Sequence, residues 1–95
     1  NIIGADEART IGLVNAVFSQ EHLMVETENF VKTIASKAPL AVNAALECII
    51  AVADMSEQEG MEYEAKTFGV ICGTDDFYEG TKAFLEKRPA VFQGK

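Results

Sequence analysis

Residues 40–53, LAVNAALECIIAVA, decide the fold class. Twelve of these fourteen residues are apolar, and the exceptions are Asn43 and Glu47. Asp54 follows directly. At 100° per residue Asn43, Glu47 and Asp54 fall within about 40° of one another. The segment therefore reads as a helix with one narrow polar stripe, apolar on every other side. Pro39 stands where helices accept it, in the first turn. Such a helix must be covered nearly all round. A central bundle position or an oligomer interface satisfies that need.

Downstream, Ser56 and Glu59 have the spacing of a capping box. They open a helix through SEQEGMEYEAKTFGVICG, with Met61, Ala65, Phe68 and Cys72 as its apolar face and Gly73 able to end it. Gly60 and Gly69 lie inside it, each costing roughly 1 kcal/mol relative to Ala. That cost implies a close approach by a backbone or a ligand. Thr74, Asp75 or Asp76 caps a last helix, and Asp76 with Glu79 also has capping-box spacing. Phe77, Thr81, Phe84 and Leu85 form its apolar face. Pro89 forces the chain out of the helix by about Arg88. The tail AVFQGK is expected to be extended, with Val91 and Phe92 needing a place to dock.

Upstream, Ser19 is expected to start a helix. Leu23, Thr27, Phe30, Val31, Ile34 and Ala35 share its apolar face, and Glu28 and Lys32 have the spacing of an ion pair. Before it, Asp6 is expected to cap a short helix over ADEARTIG, and LVNAVF (residues 13–18) reads as a strand. No second strand candidate exists to pair with it, so its partner is expected from another chain or from sequence upstream of Asn1. The expected architecture is all-α: four main helices, a short N-terminal helix and one short strand.

Ninety-five residues, 48% hydrophobic and 24% charged, make one globular domain or part of one. A net charge of −7 argues against nonspecific nucleic-acid binding. The charge is uneven: residues 82–95 hold Lys82, Lys87, Arg88 and Lys95 against Glu86 alone. Cations at a helix C-terminus account for this, and so does an anionic ligand. Cys48 and Cys72 lack metal-ligand spacing and read as buried free thiols of a reducing compartment. No segment approaches the roughly 20 apolar residues that span a bilayer. Glu57, Glu59, Glu62 and Glu64 crowd two turns; general acid–base work or metal binding competes there with a solvated helix start, where Glu62 can pair with Lys66. His22 is the single histidine and reads as a surface residue, so no multi-histidine metal site exists. Neither cysteine has a nearby histidine to activate it, and no glycine-rich phosphate loop is present.

The runs IIGADEARTIGLVNAVF, APLAVNAALE and MSEQEGMEYEAKTFGVICGTDDFYEGTKAFLEKRPAVFQGK together resemble the C-terminal third of the enoyl-CoA hydratases, members of the crotonase superfamily. The most specific pieces are ADEARTIGLVN, TDD-x-x-EG and FLEKRPAVFQGK. The resemblance implies a fold in two parts. Residues 1–18 would close the upstream core, and residues 19–95 would form the helical region through which trimers or pairs of trimers assemble. It implies a cytoplasmic lyase of fatty-acid or related acyl-CoA metabolism that adds water to trans-2-enoyl-CoA thioesters. CoA enters as part of the substrate, so no separate cofactor or metal is expected, and neither nucleic acid nor membrane is an expected partner.

The family's two catalytic glutamates and its oxyanion hole would lie upstream of position 1, so no catalytic residue is assigned here, and the chain alone is expected to be inactive. Two positions carry over to CoA binding. Phe68 matches the family's aromatic against the adenine ring, and Lys87 matches the lysine beside the adenine and phosphates. Phe68 also fits a core position, Lys87 fits a solvated helix end, and Arg88 is a weaker phosphate candidate. The family often has Leu where this chain has Thr10, and Phe-Ala where it has Cys72-Gly73, which leaves the acyl-tail pocket open. Isomerase, thioester hydrolase, dehalogenase and synthase reactions within the superfamily remain alternatives, as does a purely structural oligomerisation module.

Overall fold

A computed structural model describes residues 2–95, which divide by contacts into two units that part between Thr33 and Ile34. In the first unit, α1 spans Ala5–Thr10. Its N-cap is Gly4 rather than Asp6, and Asp6 instead occupies the first turn, where the helix dipole favours an acid. The helix ends in a Schellman motif. Gly12 takes a positive φ of 76°, its N–H reaches the carbonyl of Arg9 at 3.1 Å, and the Leu13 N–H reaches that of Ala8 at 2.8 Å. The Ile-Gly-Leu of this segment is therefore a helix stop. Ala8, beneath the returning chain, is the buried residue of the turn.

Residues 13–18 do not form the expected strand, and no strand occurs among the described residues. A lone extended segment has no ladder to join, so it runs as bends and irregular backbone. α2 spans Leu23–Ala35 and also starts later than expected. The Ser19 carbonyl accepts from His22 and Leu23, forming a turn that precedes the helix. Ser19 Oγ and His22 Nδ1 lie 2.8 Å apart on that exposed turn.

In the second unit, α3 spans Pro39–Ala51 and tightens into a 3-10 turn over Val52–Asp54. Its polar stripe closes on itself, with Asn43 Nδ2 donating to Glu47 Oε1 at 2.9 Å. No residue of α3 is buried within this chain. α4 spans Glu57–Cys72 and opens with the full capping box: Ser56 Oγ accepts from the Glu59 N–H at 3.3 Å, and Glu59 Oε2 accepts from the Ser56 N–H at 2.9 Å. The latter bond is the main reason the Glu59 carboxyl titrates below its ordinary value.

α3 and α4 make the principal helix pair, but not through the face expected for α4. Met61, Phe68 and Cys72 stay exposed, while Gly60 is buried and Tyr63, Thr67 and Ile71 are half-buried. Gly60 explains the choice. A Cβ there would stand 3.1 Å from Val52 Cγ1, so the bare backbone lets the end of α3 come close. Gly69 has nothing within 4 Å of a Cβ position. The cysteines are free, with Cys48 half-buried and Cys72 exposed rather than buried, because the face that carries Cys72 has no cover here.

α5 spans Asp75–Glu86 and is capped by Thr74, whose Oγ1 accepts from the Phe77 N–H at 3.2 Å. Asp76 is neither cap nor part of a capping box; it serves the tail. Lys87 takes φ 54° and ψ 41°, the left-handed region. Its N–H reaches Phe84 O at 3.2 Å and the Arg88 N–H reaches Ala83 O at 3.0 Å, a second Schellman motif.

Candidate functional site

The end of α5 and the tail it releases are joined by a cluster of hydrogen bonds and ion pairs. Arg88 follows the left-handed Lys87, and its guanidinium forks onto Glu79, with Nη1 to Oε1 at 2.7 Å and Nη2 to Oε2 at 3.0 Å. Arg88 Nε also meets Glu86 Oε2 at 2.6 Å. Glu79 Oε1 accepts in addition from the Val91 N–H at 2.9 Å. These bonds hold the Glu79 carboxyl at about 2, the Arg88 fork being the larger cause and the Val91 amide the next. The same fork raises the guanidinium further above its already high value.

One turn earlier on α5, Asp76 receives the remainder of the tail. Its Oδ1 accepts from the Gln93 N–H at 2.7 Å and its Oδ2 from the Gly94 N–H at 2.8 Å. The Asp76 N–H donates to Lys95 O at 2.9 Å. Asp76 is only 3% exposed, a buried charge matched by backbone donors. Between the two carboxylates, Phe92 lies over Gly80, with ring carbon Cε1 3.2 Å from where a Cβ would be. Phe92 also flanks a recess of about 380 Å³ reached by Ala38, Leu40, Ile71 and Phe77. Of the two tail residues that needed docking, Phe92 finds a seat and Val91 stays exposed.

Sequence reasoning missed Asp76, Glu79 and Gly80 as tail ligands. The signal was present as D-x-x-E-G followed by R-P-x-x-F: two carboxylates and a bare backbone on one helix face, ahead of a chain that a proline turns back.

Phe68 and Lys87, the residues matched to CoA binding, sit apart from this clamp. Phe68 is 60% exposed on α4 and touches Phe77 edge-on, with ring centroids 6.2 Å apart at 83°. It is thus neither a core residue nor free of contact. It lies on the wall of an open groove of about 780 Å³ between α3 and α4, whose lining includes Ala41, Ala45, Cys48, Ala65 and Phe77. Lys87 is exposed, and its ammonium makes no ion pair or hydrogen bond among the described residues. No contact joins the two: Lys87 stands ten residues beyond Phe77, about 15 Å of helix rise. Arg88, the weaker phosphate candidate, is committed to Glu79 and Glu86.

Other constellations have structural explanations. Glu57, Glu59, Glu62 and Glu64 are all exposed, and Gln58 rather than Lys66 meets Glu62, at 3.3 Å. The Glu28–Lys32 spacing does not close into an ion pair. No group of three or more metal-ligating side chains occurs among the described residues. Among the described residues no single helix is long and apolar enough to cross a membrane.

The chain is thus a set of amphipathic and apolar helices with exposed apolar residues and a carboxylate-clamped tail. Residues 1–95 match the enoyl-CoA hydratase/isomerase family model, and the chain belongs to that family. It is 40% identical over its whole length to the crotonyl-CoA hydratase of Syntrophomonas wolfei, covering 36% of that protein. It is 37% identical over 98% of its length to the (E)-benzylidenesuccinyl-CoA hydratase of Thauera aromatica, again covering 36%. The solved enoyl-CoA hydratase of Geobacillus kaustophilus superposes on 98% of the chain with a TM-score of 0.90 and 41% identity, over 36% of its own length. The chain thus spans about a third of the length of these relatives, in the helical part of a crotonase fold.

Proposed function

We propose that the chain is the assembly and CoA-contacting region of an enzyme that adds water to enoyl-CoA thioesters. The observation that carries this reading is the end-to-end family match, supported by relatives named as hydratases of CoA thioesters. In this reading Phe68 offers its open ring face to the adenine, and Lys87 offers an unpaired ammonium to the phosphates. The glutamates and oxyanion hole that act on the thioester belong to the remainder of the enzyme, so the chain alone binds and assembles without turnover. The fold supports assembly through its surface. Leu46, Ile49 and Ile50 of α3 are each more than half exposed, an apolar face that a neighbouring surface would cover.

Calorimetric titration with CoA tests the binding assignment. Lys87→Ala is expected to weaken binding several-fold and Lys32→Ala to leave it unchanged; equal affinities would overturn the role given to Lys87. Sedimentation at tens of micromolar tests assembly, where a clean monomer would overturn it.

A further inference from the structure

We infer that Glu79 is a positioning residue for Lys87, acting through Arg88 and the tail to fix the turn from which Lys87 projects. This deepens the CoA assignment just made and rests on it. Lys87 is the one non-glycine residue with positive φ among the described residues. Glycine takes that conformation freely, whereas a lysine there is strained, and strain of this kind persists only where the surroundings over-determine it.

Those surroundings are unusually complete. Glu86 and Arg88, on either side of Lys87, are bonded to each other at 2.6 Å. Arg88 is forked onto Glu79 through both terminal nitrogens. The chain beyond the proline is tied to the same carboxylate by the Val91 N–H at 2.9 Å. One side chain thus holds the chain on the C-terminal side of the left-handed residue at two points, the Arg88 guanidinium and the Val91 N–H. It also occupies the guanidinium that would otherwise compete for a phosphate, leaving Lys87 as the unpaired cation of the turn. A fixed ammonium loses less freedom on meeting a phosphate than a lysine on a mobile end, so the clamp contributes to affinity without touching ligand.

A double-mutant cycle on the assembled enzyme tests this, using Glu79→Gln and Lys87→Ala singly and together. The readouts are CoA affinity and the KM and kcat for an enoyl-CoA and for the matching enoyl-pantetheine, which lacks the nucleotide. Glu79→Gln is expected to raise Kd for CoA and KM for the CoA thioester about 3- to 10-fold. It should leave kcat and the pantetheine kinetics unchanged, and add nothing further once Lys87 is alanine. An equal loss in the Lys87→Ala background, or an equal loss with pantetheine, would overturn positioning and mark Glu79 as merely structural. No effect of Lys87→Ala alone would instead overturn the CoA assignment beneath it. If Glu79→Gln does not fold, Arg88→Lys, which keeps the charge and loses the fork, is read in the same cycle with the same outcomes.

Discussion

The ring of Phe92 rests on the bare backbone of Gly80, its Cε1 3.2 Å from the place a Cβ would take. A glycine inside α5 weakens the helix, and here that weakness admits the ring. Gly80→Ala is expected to push Phe92 from its seat and lower stability by about 1 kcal/mol or more, despite alanine's better helix propensity. Gly69→Ala makes the control: nothing lies within 4 Å of its Cβ position, so the propensity gain of about 0.5–1 kcal/mol should appear unopposed. Thermal melts of the two variants should therefore move in opposite directions. A fall for both would show that another surface presses on Gly69.

Asp76→Asn separates shape from charge at the second clamp. The amide has one acceptor oxygen, so its NH2 group must face either the Gln93 or the Gly94 N–H. A buried donor facing a donor costs about 1–3 kcal/mol. Hydrogen exchange at residues 93 and 94 should accelerate well before exchange in the middle of α4. Unchanged protection would show that the tail is held without Asp76.

Acid should loosen the first clamp in a defined window. The Glu79 carboxyl sits at about 2 in the folded protein against an ordinary 4.5. Between those values the unfolded chain binds the proton and the folded chain does not, so stability rises with pH across the window. The clamp's contribution is complete above about 4.5 and lost as pH falls toward 2. The Glu79 carboxyl resonance followed by NMR should titrate with the Val91 amide, and Glu79→Gln should abolish the coupled change at Val91. A Glu79 titration midpoint near 4.5 would contradict the fork.

Lys87→Gly should part stability from binding. Removing the Cβ relieves the left-handed conformation, at about 1 kcal/mol, offset in part by the greater freedom of glycine when unfolded. A melt equal to or above the parent, combined with several-fold weaker CoA binding, is expected. A clear loss of stability would mean that the lysine side chain is held by contacts absent from this structure.

Local rules made part of this fold legible. Ser56 and Glu59 are three residues apart and close their box without help from the rest of the chain, so spacing was sufficient. Pro89 ended α5 within two residues of the expected point for the same reason. The packed face of α4 was legible only in part: hydrophobicity points to Met61 and Phe68, while Gly60 signalled a close approach without naming Val52 as its partner, and Gly69 gave the same signal with nothing near it. LVNAVF has the composition of a strand, but a strand exists only by pairing, and no partner is available within these residues. At the candidate site the spacing of Asp76 and Glu79 fits a capping box, yet their partners lie far along the chain. Glu79 reaches residues 9 and 12 positions ahead, and Asp76 reaches residues 17 and 18 positions ahead. Periodicity within one helix contains no information about such a return. Phe68 and Lys87 were matched through family resemblance; a solvated helix end was among the readings of Lys87, whereas the exposure of Phe68 was not readable from its helix alone.

The clamped tail also changes what a small proteolytic cut would do. A cut after Phe92 severs Gln93 and Gly94 from the rest of the chain, and so frees both backbone donors from a carboxylate that is 3% exposed at the opposite end of α5. It would therefore be felt at the first turn of α5, where it would act as a destabilising change at Asp76, 17 residues from Gln93.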